Sequence, residues 1–444
     1  MSGRLRARAS PTHGLSDEAD VVRLWHAPDM TLTQPATAEA LGAGALDWLL
    51  ESARDNGTGL EWPTKPSDAE PDTSLYSGTP GVVLALLDGQ RHFGWDKYGD
   101  AAIRAARTIA AGLEAEESSS LYTGAIGAAV ALRGVADLLD DKEAAKAAER
   151  VPALVRERFD GQRWGEYFDL LLGNAGIALG ALDSGDVDLA VLAVEPYLAA
   201  AEETPFGVCW ELRPGMEARF HHYSHGTLGN AAALAAVGKA ADRTDLIELA
   251  LTGVADVVAR NEGGADGFLV PHSDPQLRPD VVTRHNFGWC HGPAGDAHAF
   301  RFLADATGDP SWEAYGDRCR HTLITSGLPE RLYPGFWDNH GRCCGTAGVL
   351  ALALDRAVEN GDSLEFAEDL VTYLVAHAVR DEKGTRWSNA EHRETPSDLE
   401  PHTGWAMGNA GIARELLRYV RIATGRDQAY VVPMPDQPVA RPRA

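Results

Sequence analysis

The sequence predicts an all-helical fold, an α/α toroid (a double α-barrel) of about seven helical hairpins. Three observations point there: a Gly-x-x-Gly element repeated seven times, a small-residue helical stretch after every copy, and a more polar amphipathic stretch between copies. First glycines stand at Gly78, Gly124, Gly173, Gly226, Gly292, Gly345 and Gly408, so the steps are 46, 49, 53, 66, 53 and 63 residues. Each step holds two helices and two loops, the unit of a stacked helical repeat. A single such tetrad would mean nothing; seven at near-regular spacing define an architecture.

Taken in order, Gly78 to Gly81 leads into VVLALL, Gly124 to Gly127 into AAVALRGVADLL, Gly173 to Gly176 into IALGAL and Gly226 to Gly229 into NAAALAAVG. Gly292 to Gly295 leads into DAHAFRFL, Gly345 to Gly348 into VLALAL and Gly408 to Gly411 into IARELL. Stretches this rich in Ala and Leu suit an inner ring of closely approaching helices, buried on nearly all faces. Segments such as 96–116 and 362–381 alternate polar and apolar residues with helical period and predict an outer ring with one face in water. Strand signals are weak, and 204–224 and 260–289 read as long loops entering repeats four and five at the cavity rim. A single toroid is expected over 36–428, with residues 1–35 a flexible N-terminal segment and 429–444 a Pro-rich C-terminal tail.

The formal net charge is −25, which disfavours nucleic acid or an anionic membrane as partner. No apolar run approaches the roughly 20 residues of a membrane span. Arg4, Arg6 and Arg8 are not followed by the apolar stretch of a secretory signal, so a cytoplasmic location is expected. The five cysteines, an odd number with no export signal, argue against a disulfide framework and toward metal binding or catalysis.

Three of them stand just before the first glycines of neighbouring repeats: Cys290 in Trp289-Cys290-His291-Gly292, and Cys343 with Cys344 in Arg342-Cys343-Cys344-Gly345. Corresponding positions in adjacent repeats of a ring face the same end of the cavity, so Cys290 and Cys344 are expected to be close, with Cys343 beside them. Adjacent residues can both reach one metal from an irregular turn at a helix entrance. Three thiolates with a fourth position open make a catalytic zinc site. Cys209 and Cys319 hold no motif position and read as buried structural thiols. His225, before the glycine of repeat four, projects toward the same cavity and suits proton transfer, metal ligation or core packing. Asp169, four residues before Gly173, suits proton handling or helix capping.

These motifs resemble the lanthionine synthetase C-like family: seven Gly-x-x-Gly elements over roughly 70–420, Trp-Cys-x-Gly in the fifth and Cys-Cys-Gly in the sixth. The resemblance implies a zinc ion held by Cys290, Cys343 and Cys344, and addition of a peptide cysteine thiolate to a dehydroalanine or dehydrobutyrine, closing a thioether ring. It implies proton-transfer roles for His225 and Asp169. By the same resemblance Arg284 would stabilise the enolate, the family's arginine standing shortly before the fifth-motif cysteine. Cys344 stands where most members have histidine. With only about 70 residues before the first motif, the substrate is expected to be a precursor peptide already dehydrated by a separate dehydratase or kinase/lyase. Other readings are addition of a small thiol such as glutathione to dehydroamino acids, a non-catalytic zinc-stabilised peptide scaffold, and a toroidal glycosidase using acids such as Asp169, Glu211 and Asp296. Three motif-placed thiols have no part in glycoside hydrolysis.

Overall fold

The computed structural model of the protein describes residues 34–330, 339–388 and 399–438. After helix α1 (Gln34–Glu51) come seven inner helices, each opened by a Gly-x-x-Gly element. These are α2 (Thr79–Phe93), α4 (Ala125–Leu139), α6 (Asn174–Asp183), α9 (Thr227–Ala240), α11 (Pro293–Thr307), α13 (Thr346–Asn360) and α15 (Asn409–Ala423). The outer helices are α3 (Asp96–Gly112), α5 (Lys142–Glu157), α7 (Val187–Val194) with the short α8 (Pro196–Ala200), α10 (Thr244–Ala259), α12 (Ser311–Thr325) and α14 (Glu365–Ala376). The fold is an all-α toroid of seven repeats. Inner and outer helices differ as their composition dictates: α4 buries an unbroken run from Ala125 to Leu132, whereas α5 buries only the stripe Ala144, Ala147, Ala148, Val151 and Val155. The outer partner of the seventh inner helix is α1, so the first described helix completes the ring.

Strands are confined, among the described residues, to four short antiparallel ladders: β1 (Arg54–Asp55) with β2 (Leu60–Glu61), β3 (Glu202–Thr204) with β4 (Gly207–Cys209), β5 (Arg219–Phe220) with β6 (Ser273–Asp274), and β7 (Val379–Asp381) with β8 (Gly384–Arg386). The β5–β6 pair joins the two long loops that precede repeats four and five.

Closure is visible as a circuit of backbone hydrogen bonds through the residue two before each first glycine. Tyr76 N–H donates to the carbonyl of Tyr122, Tyr122 to Leu171, Leu171 to Ser224, Ser224 to Cys290, Cys290 to Cys343, Cys343 to Ala406, and Ala406 back to Tyr76, all at 2.8–3.3 Å. The seven repeats thereby satisfy one another's buried amides with no loose edge. The second glycine of each motif is required by this closeness. A Cβ on Gly229 would stand 2.0 Å from the Tyr223 carbonyl oxygen, and one on Gly411 would stand 2.0 Å from that of Trp405. The same atoms would press on Leu170 and Arg342 of the preceding repeats.

The circuit corrects the register expected from the motifs. Cys290 corresponds to Cys343, two residues before the glycine, and Cys344 corresponds to His225 and His291, one residue before it. The C-terminal residues 429–438, expected as a tail, are packed into the barrel: Val432, Met434, Asp436 and Gln437 are buried. The N-terminal segment 1–35 lies almost wholly outside the described residues, as do residues 439–444.

Candidate metal centre

Because Cys290 and Cys343 are consecutive members of the hydrogen-bonded circuit, their side chains are fixed as neighbours, and the turn into α13 brings Cys344 onto them. Cys290 Sγ lies 3.2 Å from Cys344 Sγ, which lies 3.3 Å from Cys343 Sγ. The three thiols are buried and form the one metal-competent group among the described residues. Cys209 and Cys319 are buried and take no part in it.

Burial by itself raises a thiol's pKa. Against that, Cys343 is pulled well below the ordinary thiol range by hydrogen bonds from Cys290, Cys344 and Tyr76 and by the nearby His225. Burial, and the bonds they give to Cys343, push Cys290 and Cys344 up. Three convergent sulfurs with a phenol beside them are a donor set that a cation would complete: with Zn–S bonds of about 2.3 Å, tetrahedral sulfurs stand roughly 3.8 Å apart. The cluster needs to open by only about 0.5 Å for that geometry.

Beside it stands a histidine dyad. Asp169 Oδ2 accepts from His225 Nδ1 at 2.6 Å, across the boundary between repeats three and four. The other Asp169 oxygen accepts from the Leu172 amide at 2.7 Å, so the carboxylate both braces its own turn and orients the imidazole. Asp169 is fully buried while the His225 ring keeps 24% of its side-chain surface. With Nδ1–H committed to the carboxylate, Nε2 is the lone-pair nitrogen. His225 belongs to no metal-competent group with the thiols.

Arg284 is placed differently. Its guanidinium, just over half exposed, pairs with Glu262, which also receives His285 at 2.8 Å. That ion pair draws the Glu262 carboxyl below its usual range. The structure does not bring Arg284 into the thiol and histidine group. Four residues before Cys290 stands Asn286, whose side-chain oxygen accepts from the Gly288 amide and shapes the turn.

The dyad has a counterpart one repeat further round that motif reading passed over. His222 holds the Asp169 position of repeat four, and His291 holds the His225 position of repeat five. Their rings meet edge to face at 5.9 Å, and His291 stacks on His225 at 5.4 Å. His272, carried in by the loop before repeat five, lies 4.3 Å from His291. Asp296, in the first turn of α11, accepts from His222 at 2.8 Å. Burial lowers His291 well below the usual imidazole range, and it lowers His221 and His272 to about 3. The available signal was positional: counting back one and four residues from every glycine finds His291 and His222 directly.

The sequence profile described as lanthionine synthetase C-like protein matches residues 70–268 and 278–362. The chain belongs to this LanC-like family. Nisin cyclase superposes on it with a TM-score of 0.60 at 17% identity, over 86% of this chain and 93% of that one. A heparin-specific unsaturated glucuronyl hydrolase gives 0.48 at 12% identity (88% and 99% covered), and an α-mannanase from Bacteroides thetaiotaomicron 0.47 at 12% (87% and 97%). No curated protein sequence matches the chain. In this LanC-like chain the cysteine cluster fits the three-cysteine variant of the family's site. No helix among the described residues is long and apolar enough to cross a membrane.

Proposed function

We propose that the protein is a zinc-dependent cyclase that adds peptide cysteine thiols to dehydroalanine or dehydrobutyrine residues, forming thioether rings. The observation that carries this reading is the convergence of three buried thiols beside the Asp169–His225 dyad, in a chain of the LanC-like family that shares its fold with nisin cyclase. Cys290, Cys343 and Cys344 would hold the zinc, which when bound supplies acidification of a thiol near neutral pH.

The chain's own groups account for the proton traffic. His225 Nε2 takes the proton released by the substrate thiol, and the buried Asp169 carboxylate stabilises the imidazolium and fixes the tautomer. The thiolate sulfur bonds to the β-carbon, the alkene electron pair moves onto the carbonyl as an enolate, and the proton returns to the α-carbon. Atoms and charge balance with no oxidant or leaving group. The half-buried setting of His225 keeps it reachable by a peptide while limiting water. An enolate-stabilising role for Arg284 would require it to leave Glu262 when substrate binds.

The test is mass spectrometry of a dehydrated, cysteine-containing peptide incubated with the protein, with and without a chelator. Loss of free thiol without change of peptide mass, abolished by chelation, is expected. No thiol consumption in either arm removes the cyclase reading, and an adduct with added glutathione in place of a ring redirects it to intermolecular addition.

A further inference from the structure

The C-terminal segment climbs the inside of the inner barrel toward the thiols. At its entry, Arg418 Nε donates to the carbonyl of Gln428 at 3.3 Å, and Arg421 to that of Ala429 at 3.4 Å. Arg418 lies over the Tyr430 ring at 3.9 Å, and Tyr430 donates to Glu415 at 3.0 Å. One turn nearer the glycines, Arg414 holds the Val432 carbonyl at 2.7 Å, while Val432 fills the space left by Gly134 of α4. Arg301 of α11 donates to the Pro438 carbonyl at 2.6 Å. Between these anchors Asp436 is fully buried. Its carboxylate accepts from Tyr122 at 2.9 Å, and its backbone carbonyl accepts from the Tyr223 hydroxyl.

Those tyrosines come from repeats two and four and meet the same indole. The Trp289 ring centroid lies 5.2 Å from that of Tyr122 and 6.0 Å from that of Tyr223, with Trp405 closing the group at 5.7 Å. Trp289 immediately precedes Cys290. Tyr122 is itself a member of the hydrogen-bonded circuit, and Tyr223 is joined to another, Ser224, whose amide donates to Cys290.

We propose that residues 429–438 form an axial plug of the barrel and that Asp436 is a positioning residue for the metal centre, holding Tyr122 and Tyr223 against Trp289 so that Cys290 keeps its place in the ligand set. Nothing in the linear spacing of the Gly-x-x-Gly elements requires such a contact. Removing the clamp loosens one ligand of three without touching any of them.

This inference rests on the metal reading above, and the experiment separates the two. Zinc affinity is measured by chelator competition, and Co(II) substitution reports the thiolate charge-transfer band. Stoichiometric zinc binding by the unaltered protein is required first; its absence ends the metal reading before the plug is tested. Asp436→Ala and Tyr122→Phe are each expected to weaken zinc binding about tenfold, the low end for groups that orient metal ligands. The double variant is expected to be no weaker than either alone. Asp436→Asn, which keeps an acceptor for Tyr122, should stay within about twofold of the unaltered protein. Val432→Ala, cut into the plug away from the tyrosines, should lower Tm but leave affinity and spectrum alone. Unchanged affinity and spectrum in both Tyr122→Phe and Asp436→Ala overturn the proposal. So does a loss in Val432→Ala as large as theirs, which would make the effect one of general stability. If Asp436→Ala does not fold, Tyr122→Phe alone decides.

Discussion

At the scale of single residues, the proposed reading divides the site into groups that would hold a metal and groups that would move a proton, and substitution should separate them. His225→Asn removes the imidazole Nε2 while keeping a donor for Asp169. Turnover is expected to fall by about 10²–10⁴ with zinc content unchanged; loss of zinc would mean that His225 is a ligand. Cys344→His exchanges a thiolate for a neutral imidazole and makes the centre one unit less negative. A bound substrate thiolate should then be less nucleophilic, so ring closure should slow in competition with the unaltered enzyme; equal rates would end this idea. Asp436 offers a test on stability. Burial lifts its carboxyl to about 6, against the effect of Tyr122 and Arg342, and Tyr223 and Tyr122 are the other titratable groups upon it. The folded pKa lies above the unfolded value of 3.8, so its contribution is fully present below about pH 4 and is lost as pH rises through 6. Asp436→Asn removes this dependence. The stability of the variant relative to the unaltered protein should rise by about 2 kcal/mol between pH 4 and pH 8. Denaturant midpoints at the two pH values check it, and a constant difference would show that Asp436 does not titrate between them. The six site residues differed in how much of this could be read from the chain. That the cysteines would converge, and that His225 would face them with Asp169 behind it, was legible because the repeat gave these residues coordinates. Arg284 was placed by nearness in sequence alone, and Glu262, from the other end of the same loop, holds it at the surface.

At the scale of elements, the recurring glycines mattered for the space they leave. Each second glycine lets a helix start against a carbonyl of its own turn and a side chain of the preceding repeat. In Gly229→Ala the new Cβ would stand 2.0 Å from the Tyr223 oxygen, part of rigid backbone. Stability is expected to drop by at least about 1–3 kcal/mol. Gly112, at the end of outer helix α3, has no left-handed φ, and an alanine Cβ there would meet nothing within 4 Å. Gly112→Ala should therefore be neutral or stabilise by up to about 1 kcal/mol. Thermal unfolding of the pair distinguishes space from mere helix propensity, and equal destabilisation would reject the distinction. Inner and outer helices were readable because the two rings bury different fractions of their faces, which composition records. The packing of residues 429–438 was not: VVPMPDQPVARPRA has the make-up of a tail, and what holds 429–438 is a set of arginines and tyrosines contributed by α11, α15 and the turns of repeats two and four. Partners that distant leave no local periodicity.

At the scale of the whole molecule, a closed ring should lose its structure differently from an open stack. In an open solenoid each repeat touches only its neighbours, and unfolding can proceed from an end. Here Ala406 donates back to Tyr76, and α1 covers the seventh inner helix from the opposite end of the chain. The closing contact is specific: Gln34 donates to the Glu368 carbonyl of α14 at 2.6 Å and accepts from Tyr419 of α15 at 2.9 Å. Leu417 of α15 lies against the side of α1 that Gly42 leaves open, and Trp62 donates to the Leu49 carbonyl at 2.6 Å. Residues Leu41, Ala45, Leu46, Trp48 and Leu49 are buried along that helix. With its ends joined in this way the ring has no terminal repeat from which to fray. Denaturant unfolding is therefore expected as one transition, coincident by tryptophan fluorescence and helical circular dichroism. Deleting residues 34–53 uncovers the face of α15 and leaves the seventh inner helix without its outer partner, although the backbone circuit from Ala406 to Tyr76 remains. That variant should unfold at lower denaturant, with the two probes separating and the seventh repeat losing hydrogen-exchange protection first. The three-thiol cluster lies on repeats five and six, adjacent to the seventh through the Cys343 to Ala406 bond. Zinc affinity should then fall together with protection of the seventh repeat; if it holds while that repeat frays, the circuit does not transmit closure to the ligands.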